Sequence, residues 1–163
     1  MAVRAYLGSV DIGDTSRFGH VDMVRALRSP GSTLKPFLYG MALDAGLIHS
    51  ESLLQDVPRH YGDYRPGNFA SGFIGPVSAS EALATSLNLP AVQLLEAYGP
   101  KRFAGELRSA GVPIRLPALA EPNLALILGG GGSRLESLVT GYSAFARGGM
   151  AAKPRLQPDD ELH

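Results

Sequence analysis

Apolar residues recur at helical spacing in five stretches of the chain. From Phe37 onward Leu38, Met41, Ala42 and Ala45 share one face, which predicts a buried helix to about Leu47, with Pro36 confined to its first turn. Ala79, Ala82 and Leu83 mark a short helix over 78–86, opened by Ser78 and Glu81 as a capping box. Pro90 opens a third, carrying Val92, Leu95 and Tyr98. Lys101 to Ala110 makes a fourth, with Phe103 and Leu107 inward and Gly111 and Pro113 closing it. Leu135, Leu138, Val139, Tyr142, Phe145 and Ala146 define the cleanest amphipathic helix, ended by Gly148 and Gly149.

Strand signals are fewer. Ala2 to Asp11, with Val3, Tyr6, Leu7 and Val10, reads as one strand, and a small hairpin is expected within 52–64. Between His49 and Pro76, the aromatics Tyr61, Tyr64, Phe69 and Phe73 alternate with glycines and prolines. That composition predicts an irregular segment, either lining a groove or simply pinned by its aromatics, with Arg65 and Asn68 as its polar groups. Leu124 to Leu128 is a short apolar run, and Lys153 to His163 reads as an exposed tail. The expected class is α+β, predominantly helical.

At 163 residues and 17.2 kDa, the chain is one domain at most, able to bury roughly two thirds of its unfolded surface. Fifteen basic and fifteen acidic residues cancel, which argues against nucleic-acid or membrane-surface binding through bulk charge. No apolar run reaches bilayer-spanning length, and Met1-Ala-Val-Arg lacks a secretion pattern, so the chain as given reads as soluble. Cysteine is absent, and the four histidines show no paired ligand spacing. Neither a metal nor a cofactor is expected.

The candidate chemistry begins at Ser32 and Lys35, three residues apart at a helix start. Residues at i and i+3 share a face, so the Lys35 amine is expected to reach the Ser32 hydroxyl. Unpaired N–H groups and the dipole at a helix start favour a developing negative charge, and a lysine kept from water gives up its proton more readily. The bland alternative is an N-cap serine beside a solvated lysine. With 14 serines and 3 lysines, a chance Ser-x-x-Lys is expected in roughly one such sequence in four. The chain otherwise uses arginine, 12 times, and arginine cannot serve as a base.

Ser86 and Asn88 fall in the turn between two predicted helices, either pointing the same way or merely capping helix ends. The run Gly129 to Gly132 is followed by no Lys-Ser or Lys-Thr pair, so a flexible turn is expected there rather than a phosphate loop.

Ser32-Thr-Leu-Lys35 and Ser86-Leu-Asn88, with the flanks Arg28-Ser-Pro-Gly and Leu89-Pro-Ala-Val-Gln, resemble the transpeptidase domain of class A penicillin-binding proteins. The resemblance extends over essentially all of residues 1–163, read as one partial domain. It implies acyl transfer on the D-alanyl-D-alanine end of peptidoglycan stem peptides, on the periplasmic side of the bacterial inner membrane, by a parent protein that is itself membrane-anchored.

By the same resemblance Ser32 would form the acyl-enzyme, and Lys35 would be its base. Ser86 would relay a proton to the leaving amine, while Asn88 would hold Lys35 and the substrate amide. Beta-lactams would acylate the same serine.

The family's third motif, Lys-Thr-Gly or Lys-Ser-Gly, has no match, since the other lysines read Lys101-Arg-Phe and Lys153-Pro-Arg. The implied fold is therefore a helical subdomain with an N-terminal strand and most of the central antiparallel sheet missing. An exposed apolar face and self-association are expected from that. The competing reading is a non-catalytic remnant serving as a binding or interaction module. A Ser-His-Asp hydrolase ranks last, because no serine sits in a Gly-x-Ser-x-Gly elbow.

Overall fold

A proline at the start and a glycine past the end bracket the first long helix. In the computed structural model, which describes residues 1–60, 66–67 and 72–156, α1 spans Lys35–Asp44 with Pro36 at its second position. Proline forfeits no bond there, because the first N–H groups of a helix have no partner within it. A 3-10 turn, Gly31–Leu34, leads into α1. Gly46, at φ 68°, ends it earlier than the apolar pattern predicts, with Leu47 N–H bonded back to Ala42 O.

Strand β1, Leu53–Asp56, pairs antiparallel with β2, Gly75–Ser78, placing Leu54 opposite Val77 and Asp56 opposite Gly75. The expected hairpin within 52–64 keeps its first strand and takes its second from further along the chain. Pro76, which lacks a donor, suits the edge of so small a sheet. Helix α2, Ala79–Ala84, follows directly, and Ser78 Oγ accepts from Glu81 N–H at 3.2 Å, as the capping pattern predicted. Helix α3, Asn88–Tyr98, begins two residues before Pro90.

These elements belong to a compact unit made of Pro30–Phe103 and Ala118–Gly130. Its core is α1 packed on α3 and α3 packed on a 3-10 turn, Leu124–Leu128. Leu34, Leu38, Leu89, Val92, Leu95 and Ile127 are fully buried there. Each such side chain contributes about 1.5–3 kcal/mol of burial free energy.

A second unit comprises Met1–Ser29, Ala104–Pro117 and Gly131–His163. Helix α4, Pro100–Ser109, starts in the first unit and ends in this one, with Phe103 and Leu107 fully buried as their spacing predicted. The strand expected over Ala2 to Asp11 reduces to a single bridge, Ala2 to Arg155, while Tyr6, Leu7 and Val10 are exposed. Their apolar positions do not alternate with period two, and among the described residues no neighbouring strand offers a ladder.

The glycine run also departs from expectation. Gly132 exchanges both backbone hydrogen bonds with Arg115 at 2.8 Å, and Ser133 pairs with Arg28. A Cβ on Gly131 would lie 2.5 Å from Ile114 Cγ2, so close approach, not flexibility, is what glycine supplies. Helix α5, Leu135–Phe145, follows. Its apolar stripe of Leu135, Val139, Tyr142 and Phe145 is 38–54% exposed, and Thr140 and Gly141 lie on the buried side. Among the described residues no helix is long and apolar enough to cross a membrane.

Tyr61, Tyr64, Arg65, Asn68 and Phe69, and the tail beyond Leu156, lie outside the described residues.

Candidate active site

Ser32 sits inside the 3-10 turn ahead of α1, half-buried, with its carbonyl accepting from Lys35 N–H. It is not the N-cap of α1; that place falls to Leu34, and neither the turn nor the helix starts with a side-chain cap. The Thr33 hydroxyl instead donates to Pro30 O at 2.6 Å, fixing the entry of the turn. The capping alternative for Ser32 therefore fails, and its hydroxyl is spent on no helix end.

Lys35 is 1% exposed. Its Nζ donates to Ser86 O at 2.6 Å, Asn88 Oδ1 at 2.8 Å and Ser86 Oγ at 3.2 Å, three acceptors for the three N–H bonds of an ammonium. No hydrogen bond joins Lys35 to Ser32 among the described residues. The expectation of a direct contact along the helix face is thereby corrected, because the long stem carries the amine across to the α2–α3 turn. Burial alone pulls the Lys35 pKa down from 10.5 to about 8. On the order of a tenth of these amines are then neutral at pH 7.

The α2–α3 turn is built for this contact. Thr85 ends α2, Ser86 N–H bonds to Leu83 O at 3.0 Å and Leu87 N–H to Ala82 O at 2.9 Å. That is a Schellman pair of bonds, and the residue between must take the left-handed conformation that glycine favours. Ser86 takes it, at φ 57°. A serine there costs about 1–2 kcal/mol relative to the right-handed region, so the hydroxyl is retained against a backbone preference.

Asn88 opens α3 directly behind its N-cap, Leu87. Its Oδ1 accepts from Lys35 and its Nδ2 donates to Gly67 O at 2.6 Å. The structure thus joins Lys35, Ser86 and Asn88 in one bonded cluster, with Ser32 on the turn beside Lys35.

Two groups gave no signal in the sequence. The Gly67 carbonyl is a backbone atom, and no residue type marks it. Tyr39, one turn beyond Lys35, buries its hydroxyl without a partner among the described residues, and burial raises its pKa well above the ordinary phenol value. No group of three or more His, Cys, Asp or Glu side chains is placed to hold a metal among the described residues.

The model of the penicillin binding protein transpeptidase domain family matches residues 17–116, and the chain belongs to that family. Penicillin-binding protein 1C of Escherichia coli (strain K12) is 69% identical over 162 residues, covering 99% of this chain and 21% of the relative. The solved structure of penicillin-binding protein 1A from Haemophilus influenzae superposes with a TM-score of 0.74 at 25% identity, over 85% of this chain and 21% of that one. The PonA1 protein from Mycobacterium tuberculosis, solved in complex with penicillin V, gives a TM-score of 0.74 at 23% identity, over 82% of this chain and 38% of that one. The chain spans about a fifth of the length of the curated relative it matches at 69% identity.

Proposed function

We propose that this chain carries the nucleophile half of a serine D-Ala-D-Ala transpeptidase, acylated by peptidoglycan stem peptides and, in their place, by beta-lactams. The observation that carries the reading is the buried Lys35 amine, bonded three times to the corner at Ser86 and Asn88, three residues from an uncommitted nucleophile.

In this reading Ser32 Oγ attacks the carbonyl of the penultimate D-alanine while its proton passes to neutral Lys35. Catalytic contacts of this kind commonly close only in the substrate complex. The unpaired N–H groups at the start of the turn and helix face the charge that develops on the carbonyl oxygen. The C–N bond then breaks, and the proton passes from Lys35 through the Ser86 hydroxyl to the departing amine. The acyl group remains as an ester on Ser32 until an acceptor amine takes it. Asn88 keeps Lys35 in place and meets the substrate amide. A parent protein anchored in the inner membrane, working on its periplasmic side, fits the relatives' identity as bacterial penicillin-binding proteins.

A second reading is a binding or interaction module without turnover. Incubation with a labelled penicillin followed by intact mass separates the two. An adduct present in the natural chain and absent in Ser32→Ala supports the first. No adduct at high ligand concentration supports the second.

A further inference from the structure

The side-chain amide of Asn88 is held at both ends, by Lys35 Nζ at 2.8 Å and by Gly67 O at 2.6 Å. A carbonyl oxygen can only accept, so Nδ2 must face Gly67 and Oδ1 must face the amine. The reversed amide would set two oxygens against each other at Gly67. That carbonyl therefore favours the orientation in which Oδ1 meets the lysine.

Gly67 is itself well placed to do this. Pro66 before it is buried, and its ring fixes φ. Where the segment between the two strands rejoins the sheet, Asp56 Oδ2 accepts from Ile74 N–H at 3.0 Å, and Asp56 is fully buried.

Counting protons on Lys35 gives the consequence. A neutral amine has two N–H bonds and one lone pair. Of its three partners, Ser86 O and Asn88 Oδ1 can only accept, so they take both N–H bonds. The lone pair is left for a partner that can donate, which is a hydroxyl. We infer that the Gly67 carbonyl, acting through Asn88, directs the lone pair of neutral Lys35 onto the Ser86 hydroxyl, 3.2 Å from the amine. Gly67 is thus a positioning residue for the base, an inference that rests on the acyl-transfer reading above and deepens it. With Asn88 reversed, an amide N–H would occupy the lone pair, and the ammonium would lose an acceptor.

Among the described residues, few ionisable groups sit on the elements packed around the amine. The 3-10 turn packed on α1 carries none, α2 carries Glu81, α3 carries Glu96 and Tyr98, and α1 itself carries Tyr39 and Asp44. None forms an ion pair with Lys35 among the described residues. A change in Lys35 titration therefore reports its hydrogen bonds and burial.

The direct test replaces the amide after Gly67 with an ester, by introducing an α-hydroxy acid at position 68, which weakens this one acceptor. Gly105→Ala, on helix α4, is the control: the added methyl meets nothing within 4 Å among the described residues. Pro66→Gly, which loosens the same carbonyl without altering it, is a second variant. Lysine side-chain NMR follows the titration, with only three lysines to assign, and labelled penicillin gives the acylation rate against pH.

In the ester and in Pro66→Gly, Lys35 is expected to titrate about half a pH unit lower, because its charged form has lost an acceptor. The high-pH plateau of acylation is expected to fall about tenfold even though more of the amine is neutral. Gly105→Ala is expected to match the natural chain in both. A titration unchanged in the ester, or a lowered titration with an undiminished plateau, overturns the inference. Absence of acylation in the natural chain counts against the acyl-transfer reading instead, and leaves the titration to test the Gly67 tether alone.

Discussion

Lys35 Nζ lies 2.6 Å from the carbonyl oxygen of Ser86, a residue held in the left-handed region at φ 57°. The backbone at Ser86 thus presents both its carbonyl and its hydroxyl to one amine. Ser86→Gly and Ser86→Ala both remove the hydroxyl, but only alanine retains a Cβ at positive φ. We predict that Ser86→Gly is more stable than Ser86→Ala by about 1 kcal/mol, measured by denaturant unfolding, with both variants slowed in acylation. Equal stabilities would mean that the left-handed turn does not persist in solution.

Lys35 sets a pH dependence of stability. Its pKa is lowered from 10.5 to about 8 on folding, so between these values the unfolded chain binds more protons than the folded one. Stability should therefore rise with pH through this window, and the burden of the buried charge is felt in full below pH 8. Relative to Lys35→Met, the natural chain is expected to gain about 2 kcal/mol between pH 7 and pH 10. Unfolding midpoints of the two proteins at those pH values measure it, and a difference that does not change with pH contradicts it.

Glycines separate by what surrounds them. A Cβ at Gly130 would meet the Ala125 carbonyl carbon and oxygen at 2.8 Å, whereas one at Gly67 meets nothing within 4 Å among the described residues. Gly130→Ala is predicted to destabilise by about 1–3 kcal/mol, and Gly67→Ala by less than about 0.5 kcal/mol. Thermal unfolding of both variants tests the contrast.

Helix α5 carries the fourth prediction. Its stripe of Leu135, Val139, Tyr142 and Phe145 stays 38–54% exposed. The chain is expected to self-associate as concentration rises, and Val139→Lys is expected to reduce this without lowering the unfolding midpoint. A monodisperse monomer at every concentration, seen by solution scattering, counts against it.

The features legible in the sequence were those set by local chemistry. Ser78 and Glu81 foretold the start of α2, Pro36 that of α1, and Phe103 and Leu107 the inward face of α4, because caps, prolines and periodic apolar residues act within a few positions. Ser32 and Lys35 stood out by spacing, yet the contact that spacing suggested is not the one formed. The Lys35 stem reaches residues more than fifty positions away, and only tertiary packing decides where it ends. The same holds for Gly67 O on Asn88 and for the glycines pressed against Ile114 and Ala125. The pattern in α5 named the face that could be buried but held no information on whether anything covers it.

Lys35, buried and held by Ser86 and Asn88, is proposed to serve Ser32 as its base. The rate of penicillin acylation against pH, with peptide mapping of the adduct, tests this. An adduct on the peptide containing Ser32 is expected, formed about tenfold faster per pH unit until the rate levels near pH 8. An adduct on another residue, or a rate at Ser32 independent of pH between 5 and 9, would contradict it.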